Sequence, residues 1–172
     1  DTSTTAQDNV IVGYRAGKSI TTGGNNVALG SQAFDINTTG SNNIAIGKHC
    51  MGANTTASES TSVGCEALEA NTTGAQNCAF GFRALEDNTT ANHNVALGHE
   101  TLKENTTGED NVAVGANALD ASTTASNNTA VGRNAGGKIT TGTQNVFVGR
   151  TAGKEATTVN DVTYVGDRAG DS

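Results

Sequence analysis

Residues 26–47 read NVALGSQAFDINTTGSNNIAIG, and the stretch closes on the pattern with which it opens. Asn26-Val27-Ala28-Leu29-Gly30 returns 17 residues later as Asn43-Ile44-Ala45-Ile46-Gly47, with Thr38-Thr39 between them. Working outward, the glycine recurs at Gly13, Gly64, Gly81, Gly98, Gly115, Gly132, Gly149 and Gly166. Every step is 17 residues, without insertion or deletion. The Thr pair keeps the same phase from Thr4-Thr5 to Thr157-Thr158. A fixed period without drift places residues 17 apart at equivalent points of successive structural units, which is the signature of a solenoid.

The apolar runs are three or four residues long and rich in Val and Ile, as suits short strands. No stretch keeps apolar residues at helical spacing for three turns, and Gly, Asn and Thr dominate the remainder. The expected fold is all-β: one parallel β-solenoid of ten 17-residue coils over residues 1–172, roughly triangular in section. At about 4.8 Å per coil it forms a rod on the order of 48 Å long. Aromatic residues are only 3% of the chain, which fits a thin core of small side chains better than a globular one. A net charge of −7 argues against a nucleic-acid partner. No apolar run is long enough to insert into a membrane. Cys50, Cys65 and Cys78 make no disulfide framework. No leader is visible before Asp1, which reads as the start of a processed or excised chain.

With each coil numbered from its Gly as position 0, the columns suggest a cross-section. The large apolar residues at −3 and −1 (Val27 and Leu29, Val146 and Val148) are expected inside, and −2 outside. Ala at +3 (Ala16, Ala67, Ala135) is expected inside where space is short. All 27 Asp, Glu, Lys and Arg fall at +1/+2, +5/+6 and +11/+12, marking three corners. Where +4 is large (Phe34, Met51, Leu68, Leu85, Leu102), +7 is Asn; where +4 is Gly17, Gly136 or Gly153, +7 is Ile20, Ile139 or Ala156. The two positions therefore compete for one volume.

Several columns carry functional expectations. Asn at −4 in eight coils is expected to form a ladder of stacked amides. Asn37, Asn54, Asn71, Asn88 and Asn105 each begin Asn-Thr-Thr and are formal glycan acceptors, as is Asn127. Ala28, Ala45, Ala79, Ala96, Ala113 and Ala130 at −2 would form an outward lateral packing face. Thr21, Thr38, Thr55, Thr72, Thr89, Thr106, Thr123 and Thr140 at +8 would form an outward ladder, with Thr at +9 facing inward. That row resembles the threonine arrays of ice-binding β-solenoid proteins, which implies ice as a partner. His49, His93 and His99 lie at corners of different coils with no pair at ligand spacing. No catalytic residue, metal site or cofactor is expected, and the chain reads as a non-enzyme.

The motif Asn-Val-Ala-Leu-Gly with Ala33, and Asn-Ile-Ala-Ile-Gly at 43–47, resembles the repeats of YadA-type trimeric autotransporter heads and phage tail-fibre shafts. The resemblance implies a left-handed parallel roll, a trimer, and an adhesive or shaft role at a cell or virion surface. A cell-surface glycan is a further candidate partner. The added Asn-Thr-Thr-Gly segment lengthens the coil beyond that pattern.

Asp1 enters at +5 and Ser172 leaves at +6, so the ends are in phase and uncapped. Gly17, Gly136, Gly153 and Gly170 at +4, with Ile11, Phe147 and Tyr164 at −2, mark the terminal coils as atypical. Stacked head to tail, they would form one block at a subunit junction. The expected function is thus a self-associating structural subunit of an extracellular fibre or filament. A trimeric adhesin or tail-fibre shaft, and an ice-binding protein, are the alternatives.

Overall fold

The computed structural model describes residues 5–171. Asp1, Ser172 and Thr4 of the Thr row lie outside them. Each 17-residue repeat contributes one three-residue strand: β1 Val10–Val12, β2 Val27–Leu29, β3 Ile44–Ile46, β4 Thr61–Val63, β5 Cys78–Phe80, β6 Val95–Leu97, β7 Val112–Val114, β8 Thr129–Val131, β9 Val146–Val148 and β10 Thr163–Val165. They form one ten-stranded parallel sheet in sequence order. Its register is that of the repeat, with Val27 opposite Ile44 and Ile44 opposite Thr61. The chain is therefore a parallel β-solenoid.

Hydrogen bonding between coils runs well beyond the strands. Val27 N–H donates to Asn43 O at 2.8 Å, Phe34 N–H to Cys50 O at 3.0 Å, and Thr38 N–H to Thr55 O at 2.9 Å. These bonds join the neighbouring coils at the strand, the +4 turn and the Thr bend, so each coil serves as template for the next. Turns occupy +1 to +6, with bends at +8/+9 and at −5. They require left-handed backbone at −5, +2 and +4, where residues such as Asn42 (φ 59°), Arg83 (φ 55°) and Leu85 (φ 54°) adopt it. This conformation is uncommon for residues other than Gly and costs each of them about 1 kcal/mol. The continuous ladder offsets that cost.

The core corrects the expected alternation. Ala28, Ala45, Ala79, Ala96, Ala113 and Ala130 are buried, while Val10, Val12, Ile44, Phe80, Leu97, Val112 and Val131 are exposed. Position −2 points inward, and −3 and −1 point outward. The reason is interior width. The side chains at +4 (Phe34, Met51, Leu68, Leu85, Leu102, Leu119) fill the lumen, leaving room for no more than Ala opposite them. The atypical coils reverse the sizes. Phe147 is buried at −2, and a Cβ on Gly136 would lie 2.7 Å from its Cδ2. A Cβ on Gly17 would likewise lie 2.9 Å from Ile11 Cδ1. The shared volume expected for +4 and +7 thus includes −2 as well. Ala at +3 lies inside as expected.

Candidate functional site

The rod presents faces and corners, and the residues at each decide what it can offer. The Asn column at −4 is an interior ladder. Asn26 Oδ1 accepts from the backbone N–H of Asn43 at 2.9 Å, and Asn26 Nδ2 donates to Gly40 O at 3.0 Å. Asn94, Asn111, Asn128 and Asn145 repeat the pattern. The expected amide ladder is present, and it satisfies buried backbone groups that no strand partner reaches.

The second Asn column overturns the glycan expectation. Asn37, Asn54, Asn71, Asn88 and Asn105 are fully buried. Asn37 Oδ1 accepts from Gly40 N–H at 3.1 Å while its Nδ2 donates to Gly40 O, and Asn54 Nδ2 reaches Asn37 Oδ1 at 3.2 Å. An amide enclosed in this way offers no nitrogen to a glycosyl donor. Asn127, by contrast, is exposed at the −5 bend.

Both Thr columns lie outside the core, at different depths. At +8, Thr38, Thr55, Thr72, Thr89, Thr106 and Thr123 are half-buried. Their hydroxyls donate to the next coil's Thr carbonyl, for instance Thr72 Oγ1 to Thr89 O at 2.9 Å. Thr21 and Thr140 do the same. The exposed row is at +9: Thr5, Thr22, Thr39, Thr56, Thr73, Thr90, Thr107, Thr124, Thr141 and Thr158. The bend between the two residues replaces strand alternation, so neither faces the core. Among the described residues, no +9 hydroxyl is bonded to the protein.

The lateral face expected at Ala28, Ala45, Ala79, Ala96, Ala113 and Ala130 lies in the core and is available to nothing. The outer face of the sheet is instead the two columns at −3 and −1. They comprise eleven Val, two Ile, two Leu, Phe80, Cys78 and three Thr, with no charge among the twenty. The residues expected at a subunit junction divide. Phe147, Gly136 and Gly153 are buried in the body of the rod, whereas Ile11 of β1 and Gly170 beside Tyr164 are exposed in the end coils. The Phe147 and Tyr164 rings pack with centroids 5.9 Å apart.

Charges occupy the corners and pair from coil to coil. Arg83 Nε donates to Glu66 at 2.7 Å, Arg150 forms two bonds to Asp167 at 2.9 Å, and Lys138 pairs with Glu155. Glu66, Glu69 and Glu86 come within 4.8 Å of one another beside a shallow groove lined by Asp35, Ile36 and His49. Arg83 lies 3.4 Å from Glu86, and Lys103 lies 4.0 Å from it, so this cluster is an ion-pair network with its cations supplied. The Arg83 hydrogen bond holds the Glu66 carboxyl below its ordinary value, while burial pushes Glu86 above its own. His49 contacts Glu69 at 3.2 Å, His93 contacts Gln76 at 2.6 Å, and the His99 ring packs on Phe82. The three histidines face different neighbours. Burial pushes the Cys50 thiol up to about 11 and raises Cys78 as well. Among the described residues no helix is long and apolar enough to cross a membrane.

The chain matches no protein-family model, no curated protein and no solved structure.

Proposed function

We propose that the chain is a non-enzymatic structural rod that builds an extracellular fibre, in the manner of the tail-fibre and autotransporter-head repeats its motif resembles. The observation that carries this reading is how the polar side chains are used. Asn at −4 and +7 and Thr at +8 are consumed in bonds from one coil to the next. A chain that commits whole columns to axial cohesion is organised to transmit length and stiffness. Among the described residues β1 and β10 each pair on one side only, and the same ladder can continue into further coils by strand addition. Negative-stain electron microscopy of the purified protein tests this. Rods that join end to end into filaments with increasing concentration are expected. Separate short rods at every concentration, with no axial growth, would refute head-to-tail assembly.

The exposed Thr row at +9 favours ice binding as a second reading, since its hydroxyls are unspent and repeat at the coil spacing. Thermal hysteresis in cold solution, abolished by Thr73→Lys with Thr90→Lys, would support it. A freezing point equal to the melting point would remove it.

A further inference from the structure

Position +5 carries a charged side chain in eight of the ten coils, and Gly52 and Gly137 are the exceptions. Gly137 is not at positive φ, so its backbone does not call for glycine. The coils before and after it hold Asp120 and Lys154 at the same position. What this glycine supplies is space. An open groove of about 370 Å³ lies where its side chain would be, bordered by Asp120 and Lys154. That volume is toward the lower end of the range for small-molecule sites, roughly 300–1,000 Å³.

The groove lies where the charge balance of the rod turns. Residues 1–131 hold five Lys or Arg against thirteen Asp or Glu, whereas residues 132–172 hold five against four. Three of those last five cations, Arg133, Lys138 and Lys154, line the groove, and Asp120 is the one carboxylate among them. Among the described residues Arg133 forms no ion pair. Its neighbours in the +1 column are Ala116 and Arg150, and Arg150 is itself bonded to Asp167. Lys138 pairs with Glu155, which also lies 3.9 Å from Lys154. Both members of the Lys138–Glu155 pair are exposed, and a solvated pair of this kind exchanges its carboxylate for another oxyanion at little cost. The Arg133 guanidinium presents a planar fork of donors that matches two oxygens of a phosphate, sulfate or carboxylate group.

The rest of the lining decides what such a group is carried on. Asn117 and Asn134 add amides to the Asp120 carboxylate, and no apolar or aromatic residue borders the groove. An acyl chain would find nothing to cover it, and a nucleobase nothing to stack on. A hydroxylated carrier fits, because amides and a carboxylate together offer both donors and acceptors to its hydroxyls. We propose that the Gly137 groove binds a hydrophilic oxyanion, a phosphate, sulfate or carboxylate group on a hydroxylated, non-aromatic carrier. Arg133, Lys138 and Lys154 hold the charge, and Asn117, Asn134 and Asp120 meet the hydroxyls. The site goes beyond the fibre reading and does not rest on it, since one rod carries all of its residues.

Amide correlation NMR spectra of the full chain, titrated at constant ionic strength, provide the test. The probes are glucose, its phosphate ester, its sulfate ester, glucuronate and inorganic phosphate. Saturable shifts at the backbone amides of Asn134, Gly137 and Lys138 are expected with at least one charged sugar, and the tightest of the three identifies the anionic group. Glucose is expected to give none. No saturable shift with any charged sugar, or equal shifts with glucose, would overturn the proposal. Inorganic phosphate binding as tightly as the sugar ligands would overturn the assignment of a hydroxylated carrier. Three variants separate a built site from general attraction to cations. Arg133→Gln is expected to weaken binding roughly ten-fold, through loss of charged hydrogen bonds. Glu155→Gln is expected to tighten it several-fold by freeing Lys138 from its internal competitor. Gly137→Gln fills the groove while leaving every charge in place, and is expected to abolish binding with the far-ultraviolet dichroism retained. Binding unchanged by Gly137→Gln would show that the groove is not the site. Arg133 is exposed at the surface, so Arg133→Gln still decides the matter should the filled groove not fold. An affinity unmoved by that change would overturn the proposal as well.

Discussion

The column of glycines at position 0 lets successive coils approach closely. Gly115 has φ 126°, and a Cβ there would lie 2.7 Å from the backbone carbon of Gly132 in the next coil. Both the dihedral and the close approach exclude a side chain. Gly115→Ala is therefore expected to destabilise the rod by at least about 2 kcal/mol in chemical denaturation, through backbone strain and separation of two coils. An unchanged midpoint would mean that the coils are not packed this closely. The lumen gives a second prediction at the same scale. Phe147 fills the space left by Gly136 and Gly153, so Phe147→Ala should cost about 3–5 kcal/mol. Adding Gly153→Leu restores the Ala-with-Leu arrangement of the central coils, where Leu119 already holds φ 51°. Most of the loss should be recovered, giving a coupling well beyond additivity.

The elements are coil faces, and adjacent Thr residues show how sharply they differ. Thr72 Oγ1 donates to Thr89 O, whereas Thr73 is exposed. Thr72→Val should lower stability by about 1 kcal/mol and Thr73→Val should leave it unchanged. Equal effects would contradict the assignment of the two columns. The Arg83 corner makes a pH prediction with two signs. Glu66 is lowered by its Arg83 bond, so its contribution is present above the ordinary carboxyl range and is lost as pH falls through its folded value. Glu86 is raised by burial, so the folded state holds its proton more tightly than the unfolded state does. It therefore opposes folding above its folded value, and that penalty is relieved as pH falls toward 4.5. Glu66→Gln should lower stability at pH 7, whereas Glu86→Gln should remove the relief on acidification. Urea titrations at pH 7 and pH 4.5 would separate the two.

At this scale the limits of the sequence are also plain. The period, the parallel strands, the −4 amide ladder and the inward Ala at +3 were all legible, because a strict repeat turns one coil's chemistry into ten. The facing of β1 to β10 was not. Three residues hold too little alternation to choose a phase when most of the strands carry no polar residue, and the choice falls to the width of the lumen. The deciding signal was available: Ile11, Phe147 and Tyr164 at −2 occur only with Gly17, Gly153 and Gly170 at +4. Two columns that exchange volume must share one interior. With −2 turned inward, the Ala column lies in the core and the Val and Leu columns form the outer face. At the Thr pair, the bend defeated a strand rule that applies only to extended backbone. The burial of Asn37 and its equivalents was likewise hidden, since a sequon and a buried amide ladder are spelled alike.

The whole molecule is one-dimensional: among the described residues each coil bonds along the axis only to its neighbours. Its stability should therefore grow with coil number, as a sum of intrinsic and nearest-neighbour terms. Duplicating residues 85–101 in place inserts one full period, beginning at Leu85 (+4) and ending at Thr101 (+3). Every column, including the −4 amides and the Gly contact, then continues across the insertion. The longer protein is expected to fold, to lengthen by about 4.8 Å in small-angle scattering, and to unfold at a higher denaturant concentration. An insertion of the same segment lacking Thr101 shifts every later residue by one column. It would bring Asn111 out of line with Asn94 and place side chains where Gly98 meets Gly115. That variant should lose cooperative unfolding. If the two insertions behaved alike, the coils would not be joined through the ladders described above, and the axial cohesion on which the fibre reading rests would fall with them.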